Sequence, residues 1–228
     1  MKTLIITTST DTLPPDHRTG LWLEEFAVPF TTLTEAGVDI VVASPKGGAV
    51  PLDPKTEPDE KDQQKWASAL KALATTKRLS EVTADGFDAV FLPGGHGPLV
   101  DLTDNPELQR LIESFDREGK LIAAVCHGPA ALLNARNTAG EPLIKGRKVT
   151  GFTNIEERLV MLHGVVPFLL EDAMKERGGD FDSALVPMIS HVVRDGNLIT
   201  GQNPGSSQKI ADELLGALRG QSGNAPTA

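Results

Sequence analysis

Cys126 and His127 are neighbours at the centre of "KLIAAVCHGPAALL", residues 120–133. A thiol beside an imidazole suits nucleophilic attack on electron-poor carbon, because the thiolate is the reactive form and an adjacent base can take its proton. The chain has one cysteine. A free cysteine also packs as a small apolar side chain, so residue type alone leaves an inert buried thiol and a reactive one both open. The local pattern favours reactivity. "GKLIAAV" at 119–125 reads as a strand and "HGPAALLNA" at 127–135 as the opening of a helix, which puts the sulfur on a tight turn where helix amides and the helix dipole favour a thiolate. This is the place of a nucleophile elbow, although the flanks do not spell G-x-S-x-G.

The elements that must hold this turn are legible as short aliphatic runs: "TLIIT" at 3–7, "VDIVVAS" at 38–44, "DAVFLPGG" at 88–95 and "KLIAAVC" at 120–126. Such runs suit parallel strands covered on both faces, and ligands in such sheets bind beyond the carboxyl ends of the strands, where Cys126 falls. Between them lie helical patterns. Asp104 or Asn105 caps a helix with Pro106 in its first turn and Leu108, Leu111, Ile112 and Phe115 on one side. Residues 203–220 repeat that grammar with Asn203 as cap, an Ile210, Leu214, Leu215, Leu218 stripe and Gly220 as stop. The alternation predicts a layered α/β sandwich. "HVVRDGNLIT" at 191–200 adds a β-hairpin through Asp195-Gly196. Residues 44–66, rich in Pro, Gly and charge, read as a surface excursion into a helix bearing Trp66, Leu70 and Leu73. A single domain over 1–220 and a flexible tail over 221–228 are expected.

The 228 residues carry 22 basic against 31 acidic side chains, a formal charge of −9, which repels phosphate backbones and argues against a nucleic-acid partner. No run is long enough to cross a bilayer, and "MKTLIITTSTDT" turns polar too early for a secretory signal. One thiol suits a reducing compartment, so the cytoplasm is expected. "PGGHGP" at 93–98 lacks the lysine and hydroxyl residue of a phosphate loop, and its His96 reads as a loop or pocket-rim residue. His17, His163 and His191 show no ligand spacing, so no metal site is expected.

"AAVCHGPAALL", "FLPGGHGP", "TGLWLEEFAVPF" at 19–30, "VTGFTNIEE" at 149–157 and "DGNLITGQNPGSS" at 195–207 together resemble the ThiJ/PfpI superfamily. Within it they are similar to the heat-shock chaperone and glyoxalase III branch of the class I glutamine amidotransferase-like fold, over about residues 2–218. The resemblance implies a flavodoxin-like three-layer sandwich with a mostly parallel sheet, a homodimer, no cofactor, and glutathione-independent conversion of methylglyoxal, a small α-oxoaldehyde, to lactate. It implies Cys126 as nucleophile, His127 as catalytic histidine, Glu157 as third member with Glu156 the near alternative, and Glu25 as the carboxyl beside the thiol. Many relatives carry a histidine at Val28 and a further acid at Ile155, which bears on pocket shape and substrate choice.

Those residue types suit the reaction. A Cys126 hemithioacetal needs one proton removed from C1 and another delivered to C2, work for His127 and Glu25, with Glu157 orienting His127. Backbone N–H groups of Gly94, Gly95 and His127 are candidate donors to the developing oxyanion. Glu25, crowded by Trp22, Phe26, Pro29 and Phe30, should be partly protonated. A stress-response holdase, a thiol redox sensor and a cysteine amidase or peptidase are the competing functions.

Overall fold

Aliphatic runs that alternate with amphipathic segments need cover on both faces, and the chain meets this with a seven-stranded sheet. The computed structural model describes residues 1–223. Its strands are β1 (Lys2–Ile6), β2 (Thr12–Leu13), β3 (His17–Arg18), β4 (Asp39–Ser44), β5 (Lys77–Arg78) and β6 (Ala89–Leu92), and then β7 (Leu121–Val125), β8 (Lys148–Val149), β9 (Asp180–Phe181), β10 (Val192–Asp195) and β11 (Leu198–Gly201). The main sheet runs β10-β11-β7-β6-β1-β4-β5. Its neighbours are parallel except the β10–β11 hairpin at the edge. β6 and β7 are buried along their whole length. Thr3 pairs with Ala89, Ala89 with Leu121, and Ile122 with Leu198, so the carboxyl ends of β1, β6, β7 and β11 gather at one rim.

The helices are α1 (Leu23–Glu35), α2 (Glu60–Lys65), α3 (Ala67–Leu73), α4 (Pro98–Asp101), α5 (Pro106–Arg117), α6 (Asn154–Leu159), α7 (Leu170–Glu176) and α8 (Ser207–Gly223). α1 packs against α8 and α3, while α5 packs on β6 and β7. The fold is a flavodoxin-like three-layer sandwich with a mostly parallel central sheet and an appended antiparallel hairpin. In α5 the Asn105 side chain accepts from the Glu107 and Leu108 N–H groups, and Leu108, Leu111, Ile112 and Phe115 all lie in the core. Each such burial contributes about 1.5–3 kcal/mol.

Four expectations need correction. The hairpin turn is Gly196-Asn197, because Asp195 still pairs with Leu198, and Gly196 takes φ +59° there. The helical pattern at Trp66 is two helices broken at that residue. Asn203 does not cap α8, which begins at Ser207 after a 3-10 turn. α8 also runs past the expected stop at Gly220 to Gly223, and most of the expected tail, residues 224–228, lies outside those described.

Asn105→Ala should lower stability by about 1 kcal/mol in urea denaturation, whereas Asn105→Gly should lose only a few tenths. Equal losses would contradict a capping role.

Candidate active site

β7 ends at Val125, and the next residue turns the chain. Cys126 has φ +59°, a left-handed conformation that costs an L-residue about 1–2 kcal/mol. Two backbone bonds hold it there: its N–H donates to Gly201 O at 2.9 Å, and its C=O accepts from Phe152 N–H at 3.0 Å. Beyond His127 the chain forms a 3-10 turn, Gly128–Leu132, rather than the α-helix expected. The bend therefore lacks a long helix dipole aimed at the sulfur.

Cys126 is buried, and the residue lines a cavity of about 380 Å³. Two carboxyls flank it from different elements. Glu25 comes from the first turn of α1 and is wholly buried, while Glu24 faces solvent. Its Oε2 accepts from the Gly94 N–H at 2.8 Å. Its Oε1 makes no hydrogen bond of ordinary length among the described residues, and the Cys126 thiol is its neighbour. Burial raises Glu25 to about 8, against the pull of Cys126 and Gly94. Burial, with the Glu25 charge next, also pushes the Cys126 thiol well above its ordinary value. The expected resting thiolate is thus corrected: the pair holds a proton that the turn alone does not remove.

The second carboxyl is Glu157, on α6. Its Oε2 accepts from His127 Nε2 at 2.7 Å, and the other ring nitrogen, Nδ1, lies 3.4 Å from Cys126 Sγ. Its Oε1 pairs with His96 Nε2 at 2.9 Å. Burial works to raise Glu157, but the hydrogen bonds from His127 and His96 outweigh it and hold the carboxylate at about 2. A carboxylate accepts only, so both Nε2 atoms carry hydrogen. Burial and the neighbouring His96 lower His127 to about 4. Its ring is therefore neutral, with the Nδ1 lone pair toward the sulfur.

Glu156, the alternative to Glu157, is a structural hub. Thr153 N–H donates to its Oε2 while the Glu156 N–H donates to Thr153 Oγ1, closing a capping box on α6, and the Thr153 hydroxyl donates to Oε2 as well. Met188 N–H, Gln202 Nε2 and Asn203 Nδ2 donate to its Oε1 at 2.8, 2.9 and 2.7 Å. Asn203 thus donates to this carboxylate, and its side chain caps no helix, α8 beginning only at Ser207.

His96 lies in the loop after β6 and lines the pocket, as a loop or pocket-rim residue would, but it is buried there. It is 6% exposed, its ring centroid stands 4.2 Å from that of His127, and it belongs to the cavity wall. The donor atoms of His96, His127 and Glu157 lie within 4.8 Å of one another, the only such group of ligand-bearing side chains among the described residues. Each is engaged with another, with hydrogen on both imidazole Nε2 atoms, so the arrangement is a hydrogen-bond relay rather than an open set of lone pairs.

The glycine loop after β6 permits this crowding. A Cβ on Gly94 would come within 2.7 Å of Glu25 Oε2 and of the His127 backbone nitrogen. Gly95 has φ +87° and approaches the Gly20 carbonyl too closely for any side chain. Of the three oxyanion donors expected, the Gly94 N–H is engaged by Glu25. The Gly95 N–H faces the sulfur and the Glu25 carboxyl, and the His127 N–H makes no hydrogen bond among the described residues.

The remaining wall comes partly from the 44–66 segment, which reads in the sequence as a surface excursion. Arg18 arrives on β3, Trp22 at the start of α1, and Asp53 and Lys55 from the 44–66 excursion; Phe152 and Leu162 complete an apolar side. The Leu21 N–H to Pro51 O and Asp53 N–H to Leu21 O bonds, at 2.8 and 2.9 Å, bind that excursion to the chain ahead of α1. Val28 is half-buried and Ile155 exposed.

Fold and site together define a protein of the flavodoxin-like α/β class with a cysteine, a histidine and a carboxylate joined at a strand-end bend. Residues 19–217 match the DJ-1/PfpI family, and the chain belongs to that family, in its glyoxalase III and HSP31-like branch. It is 33% identical over 215 residues to the glutathione-independent glyoxalase HSP31 of Saccharomyces cerevisiae, covering 89% of this chain and 90% of that one. It is 32% identical over 229 residues to glyoxalase 3 of Candida albicans, covering 94% and 97%. The crystal structure of glyoxalase III from Candida albicans superposes with a TM-score of 0.86 at 28% identity, over 95% of this chain and 97% of that one.

Glu25 binds its proton more tightly folded than unfolded, so its contribution to stability is full below the ordinary value of 4.5 and is lost as pH rises through about 8. Glu25→Gln should therefore gain on the parent, by a few kcal/mol, between about pH 5 and about pH 8 in denaturant titrations. A difference that does not vary over that range would contradict a buried, protonated Glu25.

Proposed function

We propose that this chain is a glutathione-independent glyoxalase of the glyoxalase III type, converting methylglyoxal to lactate without a cofactor. The observation that carries the reading is Cys126, a residue that lines the cavity, with its Sγ 3.4 Å from the Nδ1 of an imidazole whose other nitrogen is anchored on Glu157.

The thiol meets the aldehyde carbon of the substrate as its proton passes to the His127 lone pair, and Glu157 stabilises the imidazolium that forms. This coupling suits a thiol that is protonated at rest. The proton returns to the aldehyde oxygen, completing the hemithioacetal. Gly95 and His127 N–H groups hold that oxygen as charge develops on it. Glu25, neutral over much of the physiological range, exchanges hydroxyl protons with the adduct. Isomerisation gives a lactoyl thioester, and water releases lactate. We assign the protein to the cytoplasm on its single thiol, and to a homodimer on its family resemblance. No helix among the described residues is long and apolar enough to cross a membrane.

Purified protein should form lactate from methylglyoxal with no glutathione present, and Cys126→Ala should lose at least about 10³-fold of that rate. Absence of lactate, or full activity in Cys126→Ala, would reject the reading.

A holdase role has one observation in its favour. Ile155, Leu159, Met161, Leu185, Val186, Met188 and Ile189 are exposed on two segments tied together through Glu156, an apolar surface of the kind that binds other proteins. Suppression of client aggregation should then survive Cys126→Ala and fall in a Leu159→Ser, Leu185→Ser double variant. Loss with Cys126→Ala alone would contradict it.

A further inference from the structure

The isomerisation must move a proton from one carbon to the next, and the imidazole beside the sulfur is poorly placed to do this. His127 is wholly buried and does not form part of the cavity wall. Its Nδ1 faces the sulfur and its Nε2 is held by Glu157. His96 differs on each point. It lies in the cavity wall beside Cys126 and Trp22. Its Nε2 donates to Glu157 Oε1 at 2.9 Å, which in the neutral form of the ring leaves the lone pair on Nδ1. That atom makes no hydrogen bond to the described residues and is not among the sealed polar atoms that lack a partner, so it keeps some accessible surface in a residue that lines the cavity. The Gly95 turn precedes it, and the Phe152 ring stands edge-on to it with the two centroids 6.2 Å apart.

We propose that His96 is a catalytic residue for the glyoxalase reaction, the base that takes the C1 proton of the Cys126 adduct and returns it to C2. The inference rests on the glyoxalase reading above. In the hemithioacetal, C1 bears sulfur, hydrogen and hydroxyl, and C2 is a ketone. Nδ1 takes the C1 proton while the C–H electron pair forms the C1=C2 bond and the C2 oxygen receives the Glu25 proton, giving an enediol. The C1 hydroxyl proton then returns to Glu25 as C1=O forms, and Nδ1 delivers its proton to C2. The thioester that results is an isomer of the adduct, with no net gain or loss of protons or electrons. While His96 carries the extra proton its ring faces the Glu157 carboxylate, so one anion serves both imidazoles: one handles the sulfur proton, the other the carbon proton.

His96→Gln separates this role from support of Glu157, because a glutamine amide can donate to Glu157 Oε1 and cannot act as a base. With methylglyoxal and no glutathione, lactate turnover should fall about 10²–10⁴-fold, while Cys126 alkylation by iodoacetamide stays within about twofold of the parent and an unisomerised Cys126 adduct accumulates by mass spectrometry. His96→Ala should recover turnover when free imidazole is added, and Cys126→Ala should not. Turnover near the parent's in His96→Gln, or a parallel loss of alkylation, would overturn the proposal while leaving lactate formation by the parent intact. A parent that forms no lactate would instead overturn the glyoxalase reading, and this inference with it.

Discussion

One carboxylate, Glu157, sets the geometry on which the rest of the site depends. It accepts from two imidazoles, and because it can only accept, it fixes the hydrogen of each on Nε2. That choice turns the His127 lone pair toward the sulfur and leaves the His96 lone pair for the cavity. If Glu157 were lost, neither ring would have a preferred tautomer. The two carboxyls beside this cysteine are opposite in character: Glu25 is raised to about 8 and Glu157 is held at about 2. The difference lies in their partners. Glu157 receives two imidazole N–H donors, whereas Glu25 receives a single well-formed backbone bond and sits beside a thiol.

The sheet makes these contacts possible by ending several strands at one rim. β7 delivers the cysteine, β6 delivers the glycine loop and His96, and β11 supplies the carbonyl that pins the Cys126 N–H. The left-handed bend at Cys126 stores local strain that the surrounding backbone bonds offset, a common condition for residues at functional sites. Glu156 does the parallel work for α6. Three of its hydrogen bonds tie the helix to the 188 and 202–203 segments and two close its own N-terminus on Thr153, so Glu157 next to it is carried on a fixed element.

The fold is legible where burial is written directly in the residue pattern. The four aliphatic runs become β1, β4, β6 and β7, and the Asn-Pro start of α5 caps as its pattern implies. Cys126 can be placed at a bend because an apolar run meets Gly-Pro. His96 escapes a local reading because its partner lies 61 residues away, beyond any short-range pattern. The roles of Glu156 and Glu157 are separable in principle, since Thr153-x-x-Glu156 is a capping-box spacing that commits the first of the pair to the backbone. The cavity wall formed by Asp53 and Lys55 is hidden in a polar, proline-rich segment whose position is set by backbone bonds to Leu21. Asn203 has the residue type of a cap, but its Nδ2 donates to the buried Glu156 carboxylate while its Oδ1 accepts from the Ser206 hydroxyl, so its side chain accepts from no helix N–H.

The most direct test is the tautomer of His127, read by ¹⁵N NMR of histidine-labelled protein near neutral pH. A neutral ring with hydrogen on Nε2 and a bare Nδ1 is expected, persisting until the pH falls toward about 4. Hydrogen on Nδ1, or a ring already charged at neutral pH, would contradict the hydrogen-bond relay through Glu157.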